Sequence, residues 1–329
     1  MGHMSSDIRK ANIFSLIIMY FVVVLFTILA IYPIFWVMMS SLKTTPEYMR
    51  SGEYLIVTDA DGNTLREHPI RRDNNRVMLN QNIPASDLTE GKFMNYSKTA
   101  LPKRLHFANY PSSWQDANFV LLTFNSIFYT SITVIAIIVL SFMTGFAFAK
   151  LPNKYTPILH GSFIIGILIT LQCIMVPLFL LIRTVGLYNT RLGVLIPYIG
   201  IGLPLGVYLA TEYIKGIHNE IIESARMDGA KYLGIFWKII LPMAAPVATT
   251  VAILTTTGTW NEFMLINVLV AADSLKSVPL GMTMFAGPLS TDYGKLFAAL
   301  VTGMMPMIVF YVIFRKQITK GVSAGAVKG

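Results

Sequence analysis

No charged residue and no histidine occurs between Ile13 and Met39, a stretch of 27 residues. A helix of that length rises far enough to cross the ~30 Å hydrocarbon core of a bilayer with some tilt. Four more apolar runs follow, Asn118 to Ala149, Pro157 to Ile182 (with His160), Leu192 to Ala210, and Met243 to about Val270 (with Glu262). A sixth covers Phe297 to Phe314. Backbone polar groups in lipid must be satisfied within their own segment, so each run is expected to be a helix. Pro33 interrupts the first and is expected to kink it. Composition agrees: 54% of the 329 residues are hydrophobic and only 13% charged, against about a quarter charged in a soluble domain.

The net charge of +9 raises the question of nucleic acid. The basic residues are spread between the apolar runs rather than gathered on one face, so no nucleic-acid partner is expected. Their distribution instead sets a topology. Twelve Lys and Arg fall at the ends that would be cytoplasmic, and the two short opposite loops hold four: Arg183, Arg191, Lys276 and Lys295. The positive-inside tendency over short loops then places both termini in the cytoplasm. The initial Met-Gly-His-Met reads as an expression scar, and residues 1–10 as scar plus cytoplasmic N-terminus, ahead of a first span over 11–41.

Residues 43 to 117 break the pattern with 10 of the 26 basic and 9 of the 17 acidic residues. Two strand-like runs, Glu53 to Thr58 and Asn63 to Ile70, flank Asp59-Ala60-Asp61-Gly62, a turn signal. A small extracytoplasmic insertion over 42–117 containing a β-hairpin is expected; long loops translocate regardless of charge. The segment 118–316 forms the membrane core, with a cytoplasmic loop at 212–241, and 317–329 a cytoplasmic tail.

That loop contains the most informative stretch, Asn219 to Pro242. Two short helical runs meet at Asp228-Gly229. Ile217, Ile221, Ile222 and Ala225 share one face of the first. Small residues at Ser224 and Ala225 would let another surface approach the backbone closely, and Gly229 supplies a sharp bend. Pro242 is expected to open the fifth span.

Glu262, beside Trp260 and Asn261, is the acid expected within a span, and an ionisable group at that depth usually faces a water-filled path or a partner. The competing reading makes Glu262 structural. Gln172 in the third span reads more readily as an interhelical hydrogen-bond partner than as a ligand contact. Cys173, the one cysteine, is expected to be a small buried hydrophobe. The histidines lack metal-ligand spacing, no catalytic constellation is visible, and no Gly-x-x-x-x-Gly-Lys-Ser/Thr motif occurs. No catalytic residue, metal or cofactor is therefore assigned to this chain.

Glu223-Ser224-Ala225, Gly229 four positions on, and the closing Leu241-Pro242 resemble the EAA loop of ABC importer permeases, the maltose-type carbohydrate permeases in particular. The resemblance implies an all-α integral membrane protein of the type I importer permease fold, with six transmembrane helices and a small periplasmic insertion after the first. It implies a bacterial inner-membrane location, a homologous partner permease, two copies of an ATPase that carries ATP and Mg, and a periplasmic solute-binding protein. Glu223, Ser224, Ala225, Asp228, Gly229 and Ala230 would dock the ATPase. The tail, with Gly321, Ala324, Gly325 and Lys328, would reach between the ATPase subunits as a thin extended probe. Trp260-Asn261-Glu262-Phe263 is similar to a stretch in carbohydrate permeases, which places Asn261, Glu262 and Gln172 as candidates for the pathway. The implied substrate is an oligosaccharide, with an acidic one such as alginate as an alternative. An ion-coupled secondary transporter remains the rival class; it would need coupling-ion residues near mid-membrane, and Glu262 is the candidate.

Overall fold

The computed structural model describes residues 2–44, 52–58, 64–73, 76–78, 92–96, 105–286 and 291–326. They divide into two compact units, residues 1–113 with 285–302, and residues 114–284 with 303–329.

The first unit opens with helix α1 (Gly2–Ser41), which contains Pro33. Its apolar side chains from Leu16 to Phe35 are largely exposed, as befits a helix whose solvent is lipid. The expected hairpin is present: β1 (Gly52–Thr58) pairs antiparallel with β2 (Thr64–Asp73), from Glu53 opposite Ile70 to Val57 opposite Arg66. The turn between them lies outside the described residues. Two further strands, β3 (Arg76–Met78) and β4 (Lys92–Tyr96), extend the hairpin to a four-stranded sheet in the order β3-β2-β1-β4. The insertion also ends in a short helix, α2 (Asn109–Asp116). The Asn109 side-chain amide donates to the carbonyls of Ser41 (2.8 Å) and Lys43 (2.9 Å), and Ser41 Oγ meets the Tyr110 hydroxyl at 2.7 Å. These bonds take up carbonyls that the end of α1 would otherwise leave unpaired. The Trp36 ring meets Phe297 edge-on, 5.3 Å between centroids.

Among its described residues the second unit is built from helices joined by loops. Helices α3 (Phe119–Lys150) and α6 (Arg191–Lys215) form its main pair. They approach closely because small residues line the seam: Gly202 and Gly206 of α6 lie against Ile137 and Ser141, and Gly145 of α3 lies against Ala210. A Cβ at Gly206 would sit 3.0 Å from the Ser141 side chain, so the helices would have to part. Small-on-small contact is the usual means of helix association where burial of apolar surface gives no gain.

Two of the expected spans are not single straight helices. The third is α4 (Thr156–Leu168) and α5 (Leu171–Thr184), bent by 105°. Ile164-Ile165-Gly166-Ile167 leads into the bend, a β-branched and glycine run with weak helix propensity. The fifth comprises α8 (Tyr232–Met243) and α9 (Ala245–Trp260), bent by 77°. Pro242 sits near the end of α8 and Pro246 in the first turn of α9, so Pro242 does not open the spanning helix. Phe236–Ile240 are wound as a π-helix directly before Pro242, which cannot donate to the ladder. Four described helices are long and apolar enough to cross a membrane, and six crossings result if each bent pair counts as one.

The fifth span also ends earlier than expected, at Trp260, and a separate helix α10 (Met264–Leu269) follows. The last two helices are α11 (Val278–Gly281) and α12 (Tyr293–Ala326). Helix α12 runs on through the segment expected to be an extended tail. Gly321 and Gly325 each disfavour helix by only about 1 kcal/mol, and no proline follows Pro306 to stop it. Gly321, Ala324 and Gly325 are therefore helical, and Lys328 lies outside the described residues.

Candidate functional site

Helix α7 (Asn219–Met227) lies between α6 and α8. Its inner face carries Ile222 and Ala225, buried with Ile217 in one cluster that includes Phe146, Ile214, Ile235, Phe236 and Ile240. Burying an isoleucine side chain contributes roughly 1.5–3 kcal/mol, so α7 is held firmly although it is only nine residues long. Its other face is open: Glu220, Glu223 and Ser224 are exposed, and Met227 is 89% accessible. Glu220 in the first turn and Arg226 in the last oppose the helix dipole.

The helix ends in a Schellman motif. Ala230 N–H donates to the Ala225 carbonyl (3.0 Å) and Gly229 N–H to that of Arg226 (2.9 Å). Gly229 adopts φ +83°, the left-handed conformation this turn requires, and the space around its Cα is open. The Arg226 guanidinium then packs over Tyr232 of α8, 5.1 Å from the ring centre.

Lys150, the last residue of α3, reaches the start of this element. Its ammonium donates to the Ile217 carbonyl (2.5 Å) and to Asn219 Oδ1 (2.8 Å), and lies 3.4 Å from the Lys215 carbonyl.

A second constellation surrounds Glu262. Its carboxylate accepts the Tyr198 hydroxyl (2.7 Å) and the backbone N–H groups of Leu265 (2.6 Å) and Ile266 (3.1 Å). The side chain thus satisfies first-turn donors of α10, which is why a helix can start there and why α9 stops before it. Glu262 and Tyr198 also edge a cavity of about 260 Å³ with Thr255, Thr259 and apolar residues of α3, α6 and α9.

At the opposite end of α3 a polar row grips the 271–278 loop. Buried Asn125 donates to the carbonyls of Ser274 (2.9 Å) and Lys276 (3.0 Å) and accepts from Arg191 (3.3 Å). Ser126 Oγ accepts from Val278 N–H (2.8 Å), and Tyr129 donates to the Leu275 carbonyl (3.0 Å). Asn189, at φ +58°, accepts from the N–H groups of Ala271 and Ala272.

Residues 161–323 match the family of binding-protein-dependent transport system inner membrane components. The chain is 32% identical over 236 residues to the probable ABC transporter permease protein YurM of Bacillus subtilis, covering 68% of this chain and 77% of that protein. The chain belongs to this family. The diacetylchitobiose uptake system permease protein NgcG of Streptomyces coelicolor is 27% identical over 323 residues, 98% of this permease and 90% of the relative. In structure, the permease matches a bacterial ABC transporter involved in the import of the acidic polysaccharide alginate, with a TM-score of 0.69. That match has 21% identity and covers 94% of this chain and 97% of the other.

Within the permease fold, the sequence-derived candidates separate. Glu223, Ser224 and Asp228 stand on the exposed side of α7, and Gly229 makes the bend. Ala225 does not: it is 8% accessible and faces the permease's own core, as does the partly buried Ala230. Helical phase decides this, because Ala225 follows Ile221 and Ile222 by four and three residues. Of the pathway candidates, Glu262 lines the cavity, while Gln172 is exposed in the first turn of α5 and Asn261 is exposed at the end of α9. Cys173 is exposed rather than buried, in the first turn of α5 just past the 105° bend, and its Sγ accepts from Thr170 Oγ1 at 3.2 Å. Sequence reasoning passed over Lys150 and the Asn125 row. Asn125, Ser126, Tyr129, Thr130 and Thr133 recur at helical spacing in an otherwise apolar run, a signal that could have found the row.

Proposed function

We propose that this permease forms half of the translocation pathway of an ATP-driven carbohydrate importer. It works with a homologous permease, an ATPase homodimer that binds ATP and Mg, and a periplasmic solute-binding protein. The carbohydrate assignment draws on NgcG, named for diacetylchitobiose uptake, which matches nearly the whole chain. The 260 Å³ cavity is smaller than the ~300–1,000 Å³ typical of small-molecule sites. An oligosaccharide would therefore need space completed by the companion permease. An acidic sugar gains little from the insertion, where ten basic residues face nine acidic ones. Both termini and helix α7 are assigned to the cytoplasm on the positive-inside count.

One observation carries the ATPase-docking role: α7 is anchored in the core on one face and open on the other. Glu223, Ser224, Met227 and Asp228 provide the contact surface, and Gly229 fixes the angle to the next helix. Closure of the ATP-bound ATPase dimer would push α7 as a rigid body and rock the spans attached to it. The tail, with Gly321, Ala324, Gly325 and Lys328, would still meet the ATPase, its described part as a helix rather than as an extended probe. The rival ion-coupled class needs a carboxylate free to exchange a coupling ion, and Glu262 is committed to three donors. The test is a pull-down of tagged permease from mild detergent with an ATPase assay on the eluate. Co-purification of a stoichiometric ATPase that is lost on changing Glu223 and Gly229 supports the reading. A permease that purifies alone and transports in vesicles on an ion gradient overturns it.

A further inference from the structure

A docking helix transmits force only if the connector on its membrane side is stiff. That connector is Gly216-Ile217-His218, between α6 and α7. It is held by Ile217 in the core, by two backbone bonds (Gly216 N–H to Tyr213 and Ile217 N–H to Ile214, both 3.1 Å), and by the Lys150 ammonium. Among the connector's polar contacts within the described residues, those of Lys150 bring in α3. Its single charge joins the end of α3 to the last carbonyl of α6 (Lys215), to the Ile217 carbonyl of the connector and to the side chain of the first residue of α7. The chemistry suits the place: an ammonium has three donors, and the C-terminal carbonyls of a helix carry partial negative charge. Charge-assisted bonds of this kind are short and stronger than neutral ones. Below Lys150, Phe146 of α3 packs on Phe236 of α8, 6.2 Å between centroids, so apolar contact already backs the same corner.

We propose that Lys150 is the positioning residue that locks the connector to α3, so that displacement of α7 moves the α3–α6 pair instead of being absorbed at residues 216–218. The inference rests on the docking role proposed above for α7. It needs no substrate and is tested without one, on the permease purified with its ATPase. Hydrogen–deuterium exchange is followed over residues 216–227 and 147–151, with and without a non-hydrolysable ATP analogue, for the unaltered chain, Lys150→Met and Lys150→Arg.

In the unaltered complex both segments respond to the nucleotide. In Lys150→Met, exchange at 216–219 rises roughly ten-fold, the scale set by losing charge-assisted hydrogen bonds. Residues 219–227 still respond, the response at 147–151 is lost, and Lys150→Arg restores it. A melting curve on each variant separates this from general loss of fold, since Lys150→Met leaves the apolar corner intact. An unchanged response at 147–151 in Lys150→Met overturns the inference. So does loss of the ATPase from that variant, which would make Lys150 an assembly residue. If the unaltered complex shows no response over 219–227, the docking role itself fails and the inference with it.

Discussion

The Tyr198 hydroxyl donates to Glu262 across 2.7 Å, joining the middle of α6 to the break between α9 and α10. The same carboxylate holds two backbone N–H groups of α10. Glu262 is therefore built into the scaffold as a helix-starting cap, and it contributes to the cavity wall from that fixed position.

A graded response at this position follows. Glu262→Ala strands two backbone donors and is expected to lower stability by about 1–3 kcal/mol. Glu262→Gln keeps one of the two acceptor oxygens and should lose less. Tyr198→Phe removes one bond, worth about 1 kcal/mol inside a membrane protein. Thermal melting in detergent measures all three. Equal loss in Gln and Ala would show that both carboxylate oxygens are needed, since the two backbone donors use different ones.

At Gly229 the obstacle is conformation and not bulk. The φ of +83° is strained for any L side chain, yet a Cβ there meets nothing within 4 Å. Gly229→Ala should therefore already impair the bend, by about 1–2 kcal/mol, Gly229→Val more because a β-branched residue fits positive φ poorly, and Gly229→Asn less. The readout is ATPase retention together with transport in vesicles. Full function in Gly229→Ala would show that the turn does not depend on glycine.

Ser224 and Ala225 are adjacent in sequence and opposite in burial. Ala225→Leu overpacks the core beneath α7 and is expected to cost about 1–3 kcal/mol of stability. Ser224→Leu lies on the open face and should leave the melting temperature nearly unchanged, within about 0.5 kcal/mol, while weakening ATPase co-purification. The reverse pattern would mean that α7 docks by its other face.

Asn125→Leu should destabilise the end of the bundle remote from α7. The side chain is fully buried and serves two loop carbonyls; leaving each unpaired costs about 1–3 kcal/mol. Melting should shift strongly with ATPase retention preserved. A melting temperature equal to that of the unaltered chain would show that the 271–278 loop does not depend on this anchor.

Much of this architecture could be read from residue order. Uncharged runs such as Ile13–Met39 specify apolar helices because hydropathy is a local sum. The spacing of Ile217, Ile222 and Ala225 specifies which face of α7 turns inward, and the β1–β2 hairpin follows from two strand-like runs around a turn signal. The family could be read at Glu223-Ser224-Ala225 and Gly229 for the same reason: a short amphipathic helix and its bend are encoded within ten or so neighbouring residues.

Breaks in long helices are different, and so are the partners of lone polar groups. Local signals lie near both bends, the weak helix formers at 164–167 and the prolines at 242 and 246, but they do not fix a turn of 105° at Ile169–Thr170 or of 77° at Ala244. Glu262 looked like an acid in a continuous span, and only the meeting of α6 with α10 gives it Tyr198 and two backbone donors. Lys150 looked like one of several cytoplasmic cations until α3 and α6 packed side by side and brought the Ile217 carbonyl to its ammonium. The sequence sets what each segment wants to bury; where a helix stops depends on which distant group takes up its unpaired N–H and C=O, and that is decided only when the helices pack.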